Sequence, residues 1–193
     1  MKKYLIILFL FLFGVSYSQD GIGKFKINKT RIEIIKEIEK EINVDCEITS
    51  EQEFNNDVYS KEFIFKEIFN DTSTRIFYIS NYIISDIKLF SVYLIFEDDY
   101  LIEFKCDKNK DLDILLARKY GRPYVEQKLM PYNNSLLKYD ESIIKLIWKK
   151  DDIRTISFEK TQMFDGFVRK AESYFKIYDR NHINILNKIK VIN

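Results

Sequence analysis

DIKLFSVYLIFEDDYLIEFKC, residues 86–106, reads as two strands meeting at an acidic turn. On the first arm Phe90, Val92, Leu94 and Phe96 share one face, and on the second Tyr100, Ile102, Phe104 and Cys106 do the same, as a strand period of two requires. The opposite face stays apolar on the first arm (Leu89, Tyr93, Ile95) but carries Glu103 and Lys105 on the second. The first arm is therefore expected at the centre of a sheet and the second nearer an edge. Glu97, Asp98 and Asp99 suit a tight connection, although the Asn-Gly or Asp-Gly pair of a typical hairpin is missing.

Upstream of this hairpin, Thr30 and Glu33 match a capping box, and Ile34, Ile35, Ile38 and Ile42 keep helical spacing opposite Glu37, Glu39, Lys40 and Glu41. So many isoleucines lower helix propensity, so burial against a sheet must sustain this helix. Residues 43–57 read as an acidic loop. Phe63, Phe65 and Ile68 mark one strand and residues 76–84 another, with a turn at Asn70, Asp71, Thr72 and Ser73.

Downstream the same order returns. Asn109 or Asp111 caps a helix with inner face Leu112, Leu115, Leu116 and Tyr120, stopped by Gly121 and Pro123. A short strand at Val125, Gln127 and Leu129 and a turn at Asn133, Asn134 and Ser135 follow. Ile144, Leu146 and Trp148 alternate, residues 149–152 turn, and residues 153–158 and 174–178 supply further strands around a less regular stretch at 162–172. The expected fold class is α+β: two helix-then-antiparallel-strands units forming one sheet layer with helices packed on it. Its halves fall at 24–106 and 107–180, and the tail at 181–193 carries Ile183, Leu186 and Ile189 as a short docking helix.

Residues 1–18 have the three parts of a secretory signal peptide: Lys2 and Lys3, an apolar run from Tyr4 to Val15, and small residues Ser16 and Ser18. The apolar run is too short to span a bilayer, so the mature chain is expected as one domain over 19–193, secreted or periplasmic, with no membrane span. Export lets Cys46 and Cys106 pair, and a bridge closing that loop would add about 4 kcal/mol in the chain-entropy model; two separate buried thiols are the alternative.

The chain has 193 residues and a formal charge of +1, so no global field calls for nucleic acid or an acidic surface. Sixteen Phe and thirteen Tyr beside two Pro and five Gly suit either an aromatic binding surface or a compositional bias toward packed strands. Gly21, Ile22, Gly23 and Lys24 lack the third glycine and the preceding strand of a phosphate loop and read as a mobile start.

Chemistry is thin. There is no Gly-x-Ser-x-Gly and no His-Glu-x-x-His, and the single histidine, His182, lies in the tail. Asp98 with Asp99, and Asp151 with Asp152, are neighbours on turns rather than carboxylates facing across a cleft. The acid spacing from Asp107 to Asp113 imitates a calcium loop, but Leu112 stands where glycine is needed and Arg118 where a bidentate acid is needed. No catalytic residue, metal site or cofactor is expected.

LLARKYGRP at 115–123, Trp148 within IIKLIWKK, IRTISFEK at 153–160 and YFKIYD at 174–179 resemble a group of small exported bacterial proteins of unassigned function. The layout is more loosely similar to the small outer-membrane-assembly lipoproteins and the beta-lactamase-inhibitor-like fold. That resemblance implies a helix with a Gly-x-Pro-type stop, a meander whose concave face binds another protein, and no catalysis. The chain has no cysteine beside the cleavage site to carry a lipid. Together these readings predict an exported, non-catalytic binding protein with an unknown protein partner, acting through an exposed aromatic patch that includes Tyr93, Trp148 or Tyr178. A small-ligand or envelope-lipid carrier, signalled by a closed apolar pocket, is the second reading, and an enzyme without a recognisable motif the third.

Overall fold

Strand alternation prevails over helical periodicity along most of the chain: strand accounts for 59% of the described residues. The computed structural model describes residues 20–57, 64–69, 73–133, 138–164 and 167–189. The expected leader, Phe63, Asn70, Asp71 and Thr72 of the expected turn, the turn at Asn134 and Ser135, and the last four residues lie outside them.

The chain opens with a small hairpin, β1 (Gly21–Ile22) and β2 (Phe25–Lys26), then helix α1 (Ile34–Ile42). Strand β3 (Glu47–Ser50) and helix α2 (Glu51–Asp57) follow, then β4 (Phe65–Phe69), β5 (Arg75–Ile84), β6 (Ile87–Glu97) and β7 (Tyr100–Asp107). Helix α3 (Lys110–Tyr120) leads into β8 (Tyr124–Asn133), β9 (Lys138–Lys150), β10 (Ile153–Phe164) and β11 (Phe167–Asp179), and the chain closes on a 3-10 turn (Arg180–His182) and helix α4 (Ile183–Leu186).

Nine strands form one sheet in the order β3-β4-β5-β6-β7-β11-β10-β9-β8. Only β3 and β4 run parallel, joined through α2; every other pair is antiparallel. Two four-strand meanders, β4 to β7 and β8 to β11, therefore meet at their last strands, with β3 added outside β4. This overturns the α+β expectation: the protein is mainly β, with four short helices among the described residues as partial cover. Residues 162–164 and 167–172 belong to strands rather than to an irregular stretch, and residues 43–57 hold β3 and α2 rather than a loop.

The residue 86–106 hairpin forms, but its faces slip at two places. Ser91 has φ 51, which reverses the alternation, so Leu89 is buried and Phe90 is 49% exposed. On the second arm Leu101 opposes Phe96 while Glu103 opposes Ile95, leaving Ile102 as an extra bulged residue. Leu101, Phe104 and Cys106 thus face one core cluster and Ile102 the other. The second arm, β7, is the middle strand of the sheet and not near an edge. Its tight turn uses Asp98 and Asp99 at φ 47 and 65, and the β5–β6 turn uses Ser85 and Asp86 at φ 49 and 67. Both have the two left-handed residues of a type I′ connection, supplied by short polar side chains in place of Asn-Gly.

One sheet side carries the larger core, where Ile34, Ile35 and Ile38 of α1 and Leu112 and Leu116 of α3 cover Phe77, Val92, Leu94, Phe104, Cys106, Trp148, Phe175 and Ile177. The start is not mobile there: Ile22, Phe25 and Ile27 are at most 1% exposed in this core. A Cβ on Gly21 would lie 1.9 Å from the Phe25 carbonyl oxygen, which is why the β1–β2 pair needs glycine. Thr30 does not cap α1; its hydroxyl accepts from Lys26 N and donates to the Lys24 carbonyl, both at 2.7 Å, closing the β1–β2 turn. Asn109 does cap α3, accepting from Asp111 N at 2.8 Å.

Among the described residues the other side is covered only over its N-terminal half. Phe54 of α2, Leu186 of α4 and Ile189 pack there on Ile68, Ile76, Tyr78, Ile95 and Ile102.

Cys46 and Cys106 are free thiols, which corrects the expected disulfide. Cys46 immediately precedes β3 and Cys106 lies on β7, so β4, β5 and β6 stand between them. Four inter-strand steps of ~4.8 Å amount to ~19 Å, well beyond the Cα separation a bridge tolerates. Burial pushes both thiols up, Cys46 to about 12.

Candidate interaction surface

Directly opposed residues on neighbouring strands share a face, so the register of β7 through β11 fixes what the uncovered side presents. One row across the sheet runs Tyr124, Ile147, Ile156, Lys176, Lys105 and Tyr93. The next runs Glu126, Lys145, Phe158, Tyr174 and Asp107. On the far side of the first lies a row of Lys149, Arg154, Tyr178, Glu103 and Ile95. Lysines and aromatic rings interleave in both directions.

The rings order the cations. Lys105 Nζ sits 4.9 Å from the Tyr174 ring centre, and Lys176 Nζ lies 5.5 Å from Tyr174 and 4.8 Å from Tyr178. Lys145 stands 5.9 Å from Phe158 and Lys149 5.5 Å from Tyr124. Phe158 and Tyr174 stack at 4.8 Å. Each such contact is worth about 0.5–1 kcal/mol where it is exposed. Neither core cluster reaches this side of β8, β9 or β10.

Glu103 is the buried acid of the surface, 4% exposed. Burial raises its carboxyl above the usual range against the opposing pull of Lys176 and Lys105. Burial likewise lowers Lys105, with Glu103 acting to raise it. Burial, reinforced by Glu172 and Glu103, pushes Tyr174 up to about 12. Tyr174 is therefore a neutral donor over the physiological range.

Farther along the same side, Tyr132, Tyr139, Phe164 and Phe167 form a cross-strand ladder with ring centres 4.5, 4.9 and 4.8 Å apart. A cleft of about 480 Å³ opens beside it, lined by Pro131, Lys138, Asp140 and Met163 among others. A second cleft of about 570 Å³ lies between α3 and the β5–β6 turn, bordered by Ile87, Ile114, Leu115, Asp111, Arg118 and Lys119.

Of the three expected aromatic contacts, the structure brings Tyr93 and Tyr178 onto the open side, at the border of the second core. Trp148 is on the opposite side, 5% exposed, its Nε1 donating to the Gly121 carbonyl at 3.1 Å. It anchors α3 and has no place in the surface. The sequence reading missed Lys105, Lys145, Phe158, Tyr174 and Lys176. Their signal was present as Lys and aromatic residues two apart in YFKIYD, and it becomes a surface only once β11 is placed beside β7. Among the described residues no group of three or more His, Cys, Asp or Glu could hold a metal ion, and no helix is long and apolar enough to cross a membrane.

No family profile, curated protein or solved structure matches this chain.

Proposed function

We propose that the protein is an exported, non-catalytic binding protein that docks another protein on the open side of β7–β11. The observation that carries this reading is the lattice of Lys105, Lys145, Lys149 and Lys176 interleaved with Tyr124, Tyr174 and Tyr178 above Phe158, which is itself only 8% exposed. Pre-ordered cations beside rigid rings favour a partner segment that offers carboxylates and apolar side chains together. The leader-like residues 1–18 support an extracytoplasmic address. The carrier alternative has less behind it, since both clefts described are rimmed by charged side chains.

The test is comparative capture from the envelope and medium of the native cell. The wild-type chain and a Lys145→Glu, Lys176→Glu variant of equal circular dichroism are used as bait, with mass spectrometry as the readout. A partner recovered by the wild type and lost from the variant is expected; identical partner sets would contradict the surface. N-terminal sequencing of the native product checks the address: a start near Gln19 is expected, and an intact Met1 start in the cytoplasm would contradict export.

A further inference from the structure

The geometry points to a second copy of this chain as the occupant of the edge of β8 that no described strand covers, the two copies pairing antiparallel about a two-fold axis at Gln127. Strand β8 ends the nine-stranded sheet, and its ten residues run against β9 without a register break. Exposed edges of this length are ordinarily blunted by bulges, inward charges or proline. Here there is no bulge, Pro131 falls only near the far end, and apolar side chains stand exposed on either side of the polar centre Glu126, Gln127 and Lys128: Tyr124 is 60% exposed, Val125 53%, Leu129 64% and Met130 40%.

The sequence of this edge is self-complementary. Reversed about Gln127, it sets Glu126 opposite the partner's Lys128 and Lys128 opposite the partner's Glu126, so opposite charges meet twice. Val125 meets the partner's Leu129, and Tyr124 meets the partner's Met130, an aromatic–thioether pairing. Pro123 and Pro131 fall opposite one another at the two ends, so the same reversal brackets the segment with residues that cannot donate.

Backbone parity agrees. Pro131 has no N–H, and an edge strand accommodates proline with that side outward. Residues of the same parity, Val125, Gln127 and Leu129, then turn their N–H and C=O groups outward as well. Those are the groups a two-fold at Gln127 requires for hydrogen-bonded pairs of Val125 with the partner's Leu129 and of the two Gln127 residues with each other. The prolines stop the ladder at either end, and because the interface is isologous it closes at two copies. The pairing holds whatever binds the open face.

Sedimentation equilibrium of the purified chain, read with single and paired charge reversals, tests this. The wild type is expected as a dimer. Glu126→Lys alone or Lys128→Glu alone, each opposing like charges twice, should weaken it by about tenfold or more. The double variant, Glu126→Lys with Lys128→Glu, should restore it, which separates the interface from any loss of folding. Gln127→Cys should give a covalent dimer on mild oxidation, since a hydrogen-bonded pair places Cα atoms about 5.5 Å apart. A monomer at about 100 μM would overturn the proposal. So would a dimer that is indifferent to the single reversals and is not trapped through Gln127→Cys.

Discussion

At the scale of single residues, two buried acids on neighbouring strands give opposite pH signatures. Glu103 has its carboxyl raised by burial against the pull of Lys176 and Lys105, so its ionised form is the one the fold disfavours. Stability is therefore lost as pH rises from the ordinary carboxylate value through the raised one. Glu103→Gln is expected to melt higher than wild type at pH 7, with the advantage vanishing near pH 4; an advantage that grew on acidification would contradict the assignment. Asp179 is 2% exposed and runs the other way. Burial would raise it, but hydrogen bonds from Asn28 Nδ2 at 2.6 Å and Asn181 N at 2.8 Å, with His182 alongside, hold it below the usual range. Its contribution is present above the unfolded-state value and lost as pH falls through the depressed one. Asp179→Asn should cost about 1–3 kcal/mol in denaturant unfolding at pH 7 and converge with wild type in acid. Neither acid was legible in the sequence: the polar residues of β7 resembled an edge, because nothing local shows that β11 will cover them. Gly121 was legible as a helix stop. At φ 81 and ψ −171 it sits where L-residues are strained, and an added Cβ would meet nothing within 4 Å. Gly121→Ala should therefore cost about 1–3 kcal/mol through the backbone alone.

At the scale of elements, the chain reads well where burial is one-sided and poorly where it is not. Helices α1 and α3 are marked by Ile34, Ile35, Ile38, Leu112 and Leu116 at helical spacing, and all five are buried. The far portions of β8 and β11 are exposed on both sides, so no apolar period announces them. Val168, Arg169 and Lys170 read as irregular although they pair with β10. Ser91 and the Ile102 bulge each exchange the faces of a strand that otherwise alternates, a one-residue event that a period-two template carries straight through. The C-terminal helix was legible from Leu186 and Ile189, and it covers the second core. Leu186→Ala should destabilise the fold by about 2–5 kcal/mol in urea unfolding, as for other buried leucines. A loss of a few tenths would mean that α4 rests on the sheet without being packed into it.

At the scale of the whole molecule, the two meanders are joined by a short ladder, residues 174–178 of β11 against residues 103–107 of β7. These strands lie some seventy residues apart in the chain, so the pairing left no local trace, and strand order was the least legible feature. The same ladder determines that Tyr93, Lys105, Lys176 and Tyr178 share one open surface while Trp148 does not. The proposed function thus rests on a junction that only the folded chain reveals. Amide hydrogen exchange resolved by peptide mass spectrometry tests that junction most directly. The slowest exchange is expected in 103–106 and 175–177, with 167–172 exchanging faster on the same strand. Rapid exchange across 174–178 while β5 and β6 stay protected would show two separate meanders and no common surface.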